Sequence, residues 1–162
     1  MVSYSEYKRA VLQGRAQKIG KPVFGYKNVR LLEVSQKQAG SGTAGNTVGV
    51  EFGKRNKNNF YFIELRKNLS AKNKRDVFQH ELTHYKIRTS KYNPIRDKSI
   101  NKEVRQLARD NPDFFDTYDR SSLKEEAVVS TADHLRKYPG ESKAFKQDYP
   151  HLYKRARMFV KL

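Results

Sequence analysis

Apolar positions recur at helical spacing at both ends of the chain and alternate in between. In the opening "SYSEYKRAVLQGRAQKIG", Tyr7, Ala10 and Val11 form one stripe, Ser3 and Glu6 stand in the relation of a capping box, and Gly20 is placed to end the helix. After Pro22 the pattern turns to β, with "VFGYKNVRLLEVSQ", the loop "AGSGTAGNT", "VGVEF", the turn-rich "GKRNKNN" and the aromatic "FYFIELR". These predict three or so strands in a small antiparallel or mixed sheet. In "FYFIELR", Phe60, Phe62 and Glu64 face one way and Tyr61, Ile63 and Leu65 the other, so both faces are mostly apolar and need cover. "NLSAKNKRDVFQHELTHYKIRT" then runs in helical register behind a Ser70 cap, with Val77, His80, Glu81 and His84 near one face. Further helices follow the polar "SKYNPIRDKS": one over Asn101 to Asp110, one in "LKEEAVVSTADHLRKY" stopped by Pro139 and Gly140, and segments around Pro150. Strands followed by helices predict an α+β fold without internal repeats. The reading is a single domain over 1–162: an N-terminal helix at 1–20, a β-rich part at 22–67 and a helical part at 70–162.

Composition narrows the chemistry. The 162 residues are 36% hydrophobic, which is low, but nine Phe and ten Tyr supply large buried areas, so the chain should fold. The absence of cysteine removes disulfides, thiolate zinc knuckles and a cysteine nucleophile together. A metal site must use histidines and carboxylates. The first residues lack an apolar core of signal-peptide type, and no apolar run reaches membrane-spanning length, which predicts a protein with no secretion signal and no membrane span.

The net charge of +17 is uneven: residues 1–76 hold sixteen Lys and Arg against five Asp and Glu, whereas 111–162 hold ten against eight. A basic N-terminal half favours nucleic acid, anionic lipid or an acidic protein partner, or serves only as a solvated surface.

Within this background "VFQHELTHYK" stands out. His80 and His84, four apart on a helix, project from the same face one turn apart, at the separation two ligands of a tetrahedral Zn²⁺ require. Glu81 lies beside that face, poorly placed as a third ligand but close enough to accept a proton from a water activated by the metal. This His-Glu-x-x-His pattern on a helix behind an aromatic strand is the context the motif needs. The remaining histidines, His134 and His151, sit among charged neighbours and are formal ligand candidates only.

"HELTH" followed by a downstream glutamate on another helix resembles the gluzincin branch of zinc metallopeptidases, whereas the metzincin extension with a third histidine is absent. The resemblance implies a zincin-like fold and a glutamate as third ligand, opening a mostly apolar helix, often with a small residue three positions on and a polar one four on that supports a ligand histidine. Glu126, with Val129 and Ser130 at those positions, fits better than Glu125, with Val128 and Val129; Glu125 in turn shares the apolar stripe of Val128, Ala132 and Leu135. Over residues 55–162 the chain further resembles the anthrax lethal factor-like peptidase domains found in toxins and in bacteriophage proteins, with a tyrosine ahead of the ligand glutamate ("DTYDRSS"), an apolar helix ("EEAVVSTA") and a Pro-and-aromatic tail ("DYPHLYKRARMF"). It lacks the Ala-Glu-Ala that often follows the ligand in that family. The likeness implies that Tyr118 hydrogen-bonds to a developing oxyanion. It also implies that "NFYFIELR" is an edge strand that pairs with an extended substrate. Tyr85 reads as core.

The expectation is a zinc-dependent endopeptidase acting on a protein or peptide, with Zn²⁺ on His80, His84 and Glu126 (or Glu125), Glu81 as general base and Tyr118 as oxyanion donor. Two alternatives stand beside it: a protease recruited to DNA, which shares only the zinc motif with SprT-like proteases, and a basic nucleic-acid- or capsid-associated binding protein with a structural or degenerate zinc site. The phage-like resemblance implies a protein of the bacterial cytoplasm or of the virion.

Overall fold

The most apolar strand occupies the middle of the sheet. The computed structural model describes residues 3–35, 44–53, 56–115, 118–119 and 122–160. Over these it is α+β with a small mixed sheet of order β1-β2-β4-β3, formed by β1 (Lys21–Val23), β2 (Tyr26–Val34), β3 (Gly45–Val50) and β4 (Phe60–Arg66). The chain divides into two compact units, Met1–Tyr85 and Lys86–Leu162, and the division falls inside one helix, α2 (Ala71–Thr89).

In the first unit β4 is buried without a break from Phe60 to Leu65. It pairs parallel with β2 (Val29 opposite Tyr61, Leu31 opposite Ile63) and antiparallel with β3 (Thr47 opposite Ile63, Val50 opposite Phe60). The edges are β1 and β3, so "FYFIELR" is internal and is not the substrate-pairing edge strand that the resemblance implied. Both its faces are covered, as its apolar residues require. Phe60 and Phe62 pack with Val50, Ala16 and Tyr7 of α1 (Tyr4–Leu12). On the other face Tyr61, Ile63 and Leu65 pack with Val29 and with Leu82, Val77, Phe78 and Tyr85 of α2, which puts Tyr85 in the core as expected.

The capping box of Ser3 and Glu6 is formed. The helix ends at Leu12 rather than at Gly20: Gly14, at φ +65°, donates to Val11 O while Arg15 donates to Ala10 O, a Schellman stop that glycine alone adopts without strain. Gly20 instead enters β1, where a Cβ would lie 2.5 Å from Leu31 O. Ser70 caps α2, its hydroxyl accepting from Asn73 N at 3.2 Å. The strand expected at 48–52 begins earlier, at Gly45. Residues 39–43 of the loop expected over 39–47 lie outside the described residues, as do 54 and 55 of the turn before β4.

The second unit contains α3 (Asn101–Asp110), α4 (Pro112–Phe115), α5 (Leu123–Lys137), α6 (Ser142–Asp148) and α7 (Pro150–Ala156). Ala127, Val128 and Val129 of α5 are fully buried with Ile87, Ile100, Val104 and Leu152. Glu103 of α3 caps the start of α7, accepting from the main-chain N of His151 at 3.1 Å and of Leu152 at 2.7 Å. Arg155 reaches Asp97 at 2.7 Å. Among the described residues no helix is long and apolar enough to cross a membrane.

Three phenols tie these elements together through carboxylates. Tyr7 donates to Glu64, Tyr61 to Glu51 at 2.8 Å and Tyr149 to Asp110 at 2.6 Å. Burial first, and the acceptor carboxylate second, push all three above the ordinary phenol value of 10, Tyr149 to about 12. A raised folded-state value means that the contribution is complete below pH 10 and is lost as pH rises through the folded values. We expect tyrosinate absorbance to show a late-titrating fraction, and stability to fall progressively above pH 10. Simultaneous titration of every phenol with the fold intact would contradict these contacts.

Candidate metal centre

The sequence places the site by helical period, and α2 keeps that period through the motif. His80 and His84 are half-buried on successive turns, with their Nε2 atoms 3.2 Å apart. Two Zn–N bonds of about 2.05 Å at a tetrahedral angle put their nitrogens about 3.3 Å apart, so this pair already has ligand spacing. One ligand atom each from His80, His84 and Glu126 lie within 4.8 Å of one another, a group that can hold a metal ion. Two imidazoles and one carboxylate suit zinc and neighbouring transition metals better than Mg²⁺ or Ca²⁺, which prefer all-oxygen sets.

Glu126 is 3% exposed, on the first turn of α5, where the helix dipole favours a carboxylate. Its Oε1 accepts from Ser130 Oγ at 3.4 Å. The serine expected to support a ligand histidine therefore contacts the glutamate one turn behind it. Glu125 instead meets Arg88, Nε to Oε1 3.1 Å.

Glu81 is buried at 7% exposure, and its Oε2 lies 2.8 Å from the hydroxyl of Thr47 on β3. The sequence reading did not single out Thr47. The available signal is the period-2 run Gly45, Thr47, Gly49: small residues on the same face as their cross-strand partners Leu65, Ile63 and Tyr61, the face on which the helix packs. A Cβ on Gly45 would come within 2.5 Å of Val77 Cγ1 and 3.2 Å of Glu81 Cγ.

The other histidines have separate engagements. His134 Nε2 is 3.2 Å from Glu141 and its ring packs beside Tyr138 and Phe145; His151 Nδ1 is 2.6 Å from Glu103. Tyr118 is half-buried against the core of the second unit, its ring centroid 6.4 Å from that of Phe115. Four of its neighbours in "DTYDRSS", residues 116, 117, 120 and 121, lie outside the described residues.

No family model, curated protein or solved structure matches this chain.

Proposed function

We propose that this chain is a zinc-dependent endopeptidase. The observation that supports the reading is the grouping of His80, His84 and Glu126 within 4.8 Å, with a buried carboxylate, Glu81, next to the first histidine. A structural zinc site has no use for that carboxylate, whereas hydrolysis needs a base at this place.

His80, His84 and Glu126 would hold the ion, which when bound supplies Lewis acidity toward a peptide carbonyl and makes a coordinated water more acidic. Glu81 takes a proton from the attacking water at a carboxylate oxygen and returns it to the leaving amine nitrogen. The Tyr118 hydroxyl donates a hydrogen bond to the carbonyl oxygen as negative charge develops there. The substrate is a protein or peptide. The Glu125–Arg88 ion pair supports leaving Glu125 out of the ligand set.

Elemental analysis of the wild type, Glu125→Ala and Glu126→Ala proteins tests the site. About one zinc per chain is expected in the wild type and in Glu125→Ala, with loss in Glu126→Ala. Incubating the zinc-loaded protein with a proteome-derived peptide library, and reading new termini by mass spectrometry, tests the activity. Chelator-sensitive cleavage is expected; zinc binding without cleavage would leave a structural site and overturn the peptidase reading.

A further inference from the structure

Glu81 has to exchange a proton with correct aim, yet a glutamate carboxylate hangs on three rotatable bonds. In this structure one neighbouring hydroxyl, with a single proton to give, lies within hydrogen-bond distance of both its carboxylate and its main-chain carbonyl. Thr47 Oγ1 lies 2.8 Å from Glu81 Oε2 and 3.0 Å from the main-chain carbonyl of Glu81, and both residues are buried. The close approach depends on Gly45, two residues earlier on the same face of β3, because a side chain there would meet Val77 and Glu81 of α2. Thr47 sits on a strand at the edge of the sheet, held by pairing with β4 opposite Ile63, so its hydroxyl is delivered from a rigid element.

We propose that Thr47 is a positioning residue for the base, an assignment that rests on the peptidase reading. A hydroxyl donates one proton. Given to Oε2, that proton assigns Oε1 as the oxygen that takes the proton from water and later releases it to the leaving amine. The same atom then serves both transfers, and Thr47 remains a donor to its neighbour throughout. With the hydroxyl removed, the buried carboxylate loses a donor and its torsions are freed, and a misplacement of about 1 Å at a reacting group lowers rate about 100-fold.

The test compares Thr47→Val, which keeps shape and strand preference, with Thr47→Ser, which keeps the hydroxyl. In zinc-loaded protein, using the fastest-cleaved peptide of the library, Thr47→Val is expected to lower kcat about 10- to 100-fold. KM should stay within about threefold and zinc content should be unchanged, while Thr47→Ser recovers kcat to within about threefold. In metal-free protein Thr47→Val should lower Tm more in the wild-type background than in Glu81→Leu, where the side-chain acceptor is gone. Equal Tm losses in both backgrounds, or an unchanged kcat in Thr47→Val, would overturn the assignment. Coupled Tm losses in a protein whose wild type cleaves nothing would retire the peptidase reading, and the catalytic role of Thr47 with it, leaving a structural hydrogen bond.

Discussion

The Glu81→Gln protein is expected to bind zinc as the wild type does and to lose turnover by about 10²- to 10⁴-fold, the range general base catalysis supplies. Glutamine has nearly the same shape, and its amide oxygen can still accept from the Thr47 hydroxyl that now lies 2.8 Å from Glu81 Oε2. Packing at a position only 7% exposed is therefore preserved. What is removed is the ability to take and return a proton. The loss should appear in kcat, measured on the library peptide, with zinc content and melting temperature close to wild type. Cleavage retained at wild-type rate would mean that Glu81 is not the base.

Phe62→Ala is expected to lower stability by about 3–5 kcal/mol, the usual range for emptying an aromatic site in a core. Phe62 is fully buried in the central strand, stacked on Tyr7 with centroids 4.1 Å apart and planes 15° apart, and its ring is 5.2 Å from that of Phe60. The substitution opens a void and removes the surface on which α1 rests. Tyr7 also donates to the buried carboxylate of Glu64, so loosening α1 disturbs that bond as well. A fall in Tm on the order of 10 °C is expected. Phe24→Ala is the natural control, because Phe24 is fully exposed in the β1–β2 turn and its removal should change stability by no more than about 0.5 kcal/mol. Equal effects of the two would contradict the placement of β4 in the centre.

Several features follow from spacing alone. Ser3 with Glu6, Ser70 before α2, the two covered faces of β4 and the α+β class are local or periodic signals, and each acts over a few residues. The pairing of His80 with His84 is legible for the same reason, since four residues are one helical turn. The strand order is not local. β3 follows β2 in sequence, yet β4 lies between them because its continuous apolar run needs neighbours on both sides. The end of α1 is not legible in sequence because "QGRAQKIG" holds two glycines that both take φ +65°, and only tertiary contacts decide which one stops the helix. Thr47 and Ser130 are ordinary residues in sequence; their meaning comes from the partners that the fold gives them, Glu81 and Glu126.

The insertion of β4 between β2 and β3 bears on how the chain is made. As the chain leaves the ribosome, the β1–β2 hairpin is complete before residue 66 has been synthesised, and in the finished sheet β3 is not its partner. Until β4 arrives, β2 presents an open edge, the kind of surface through which nascent chains join one another. The stretch made before β4, residues 1–59, is itself basic, with eleven Lys and Arg against three Glu. Like charges on neighbouring copies repel one another, which opposes the joining of open edges.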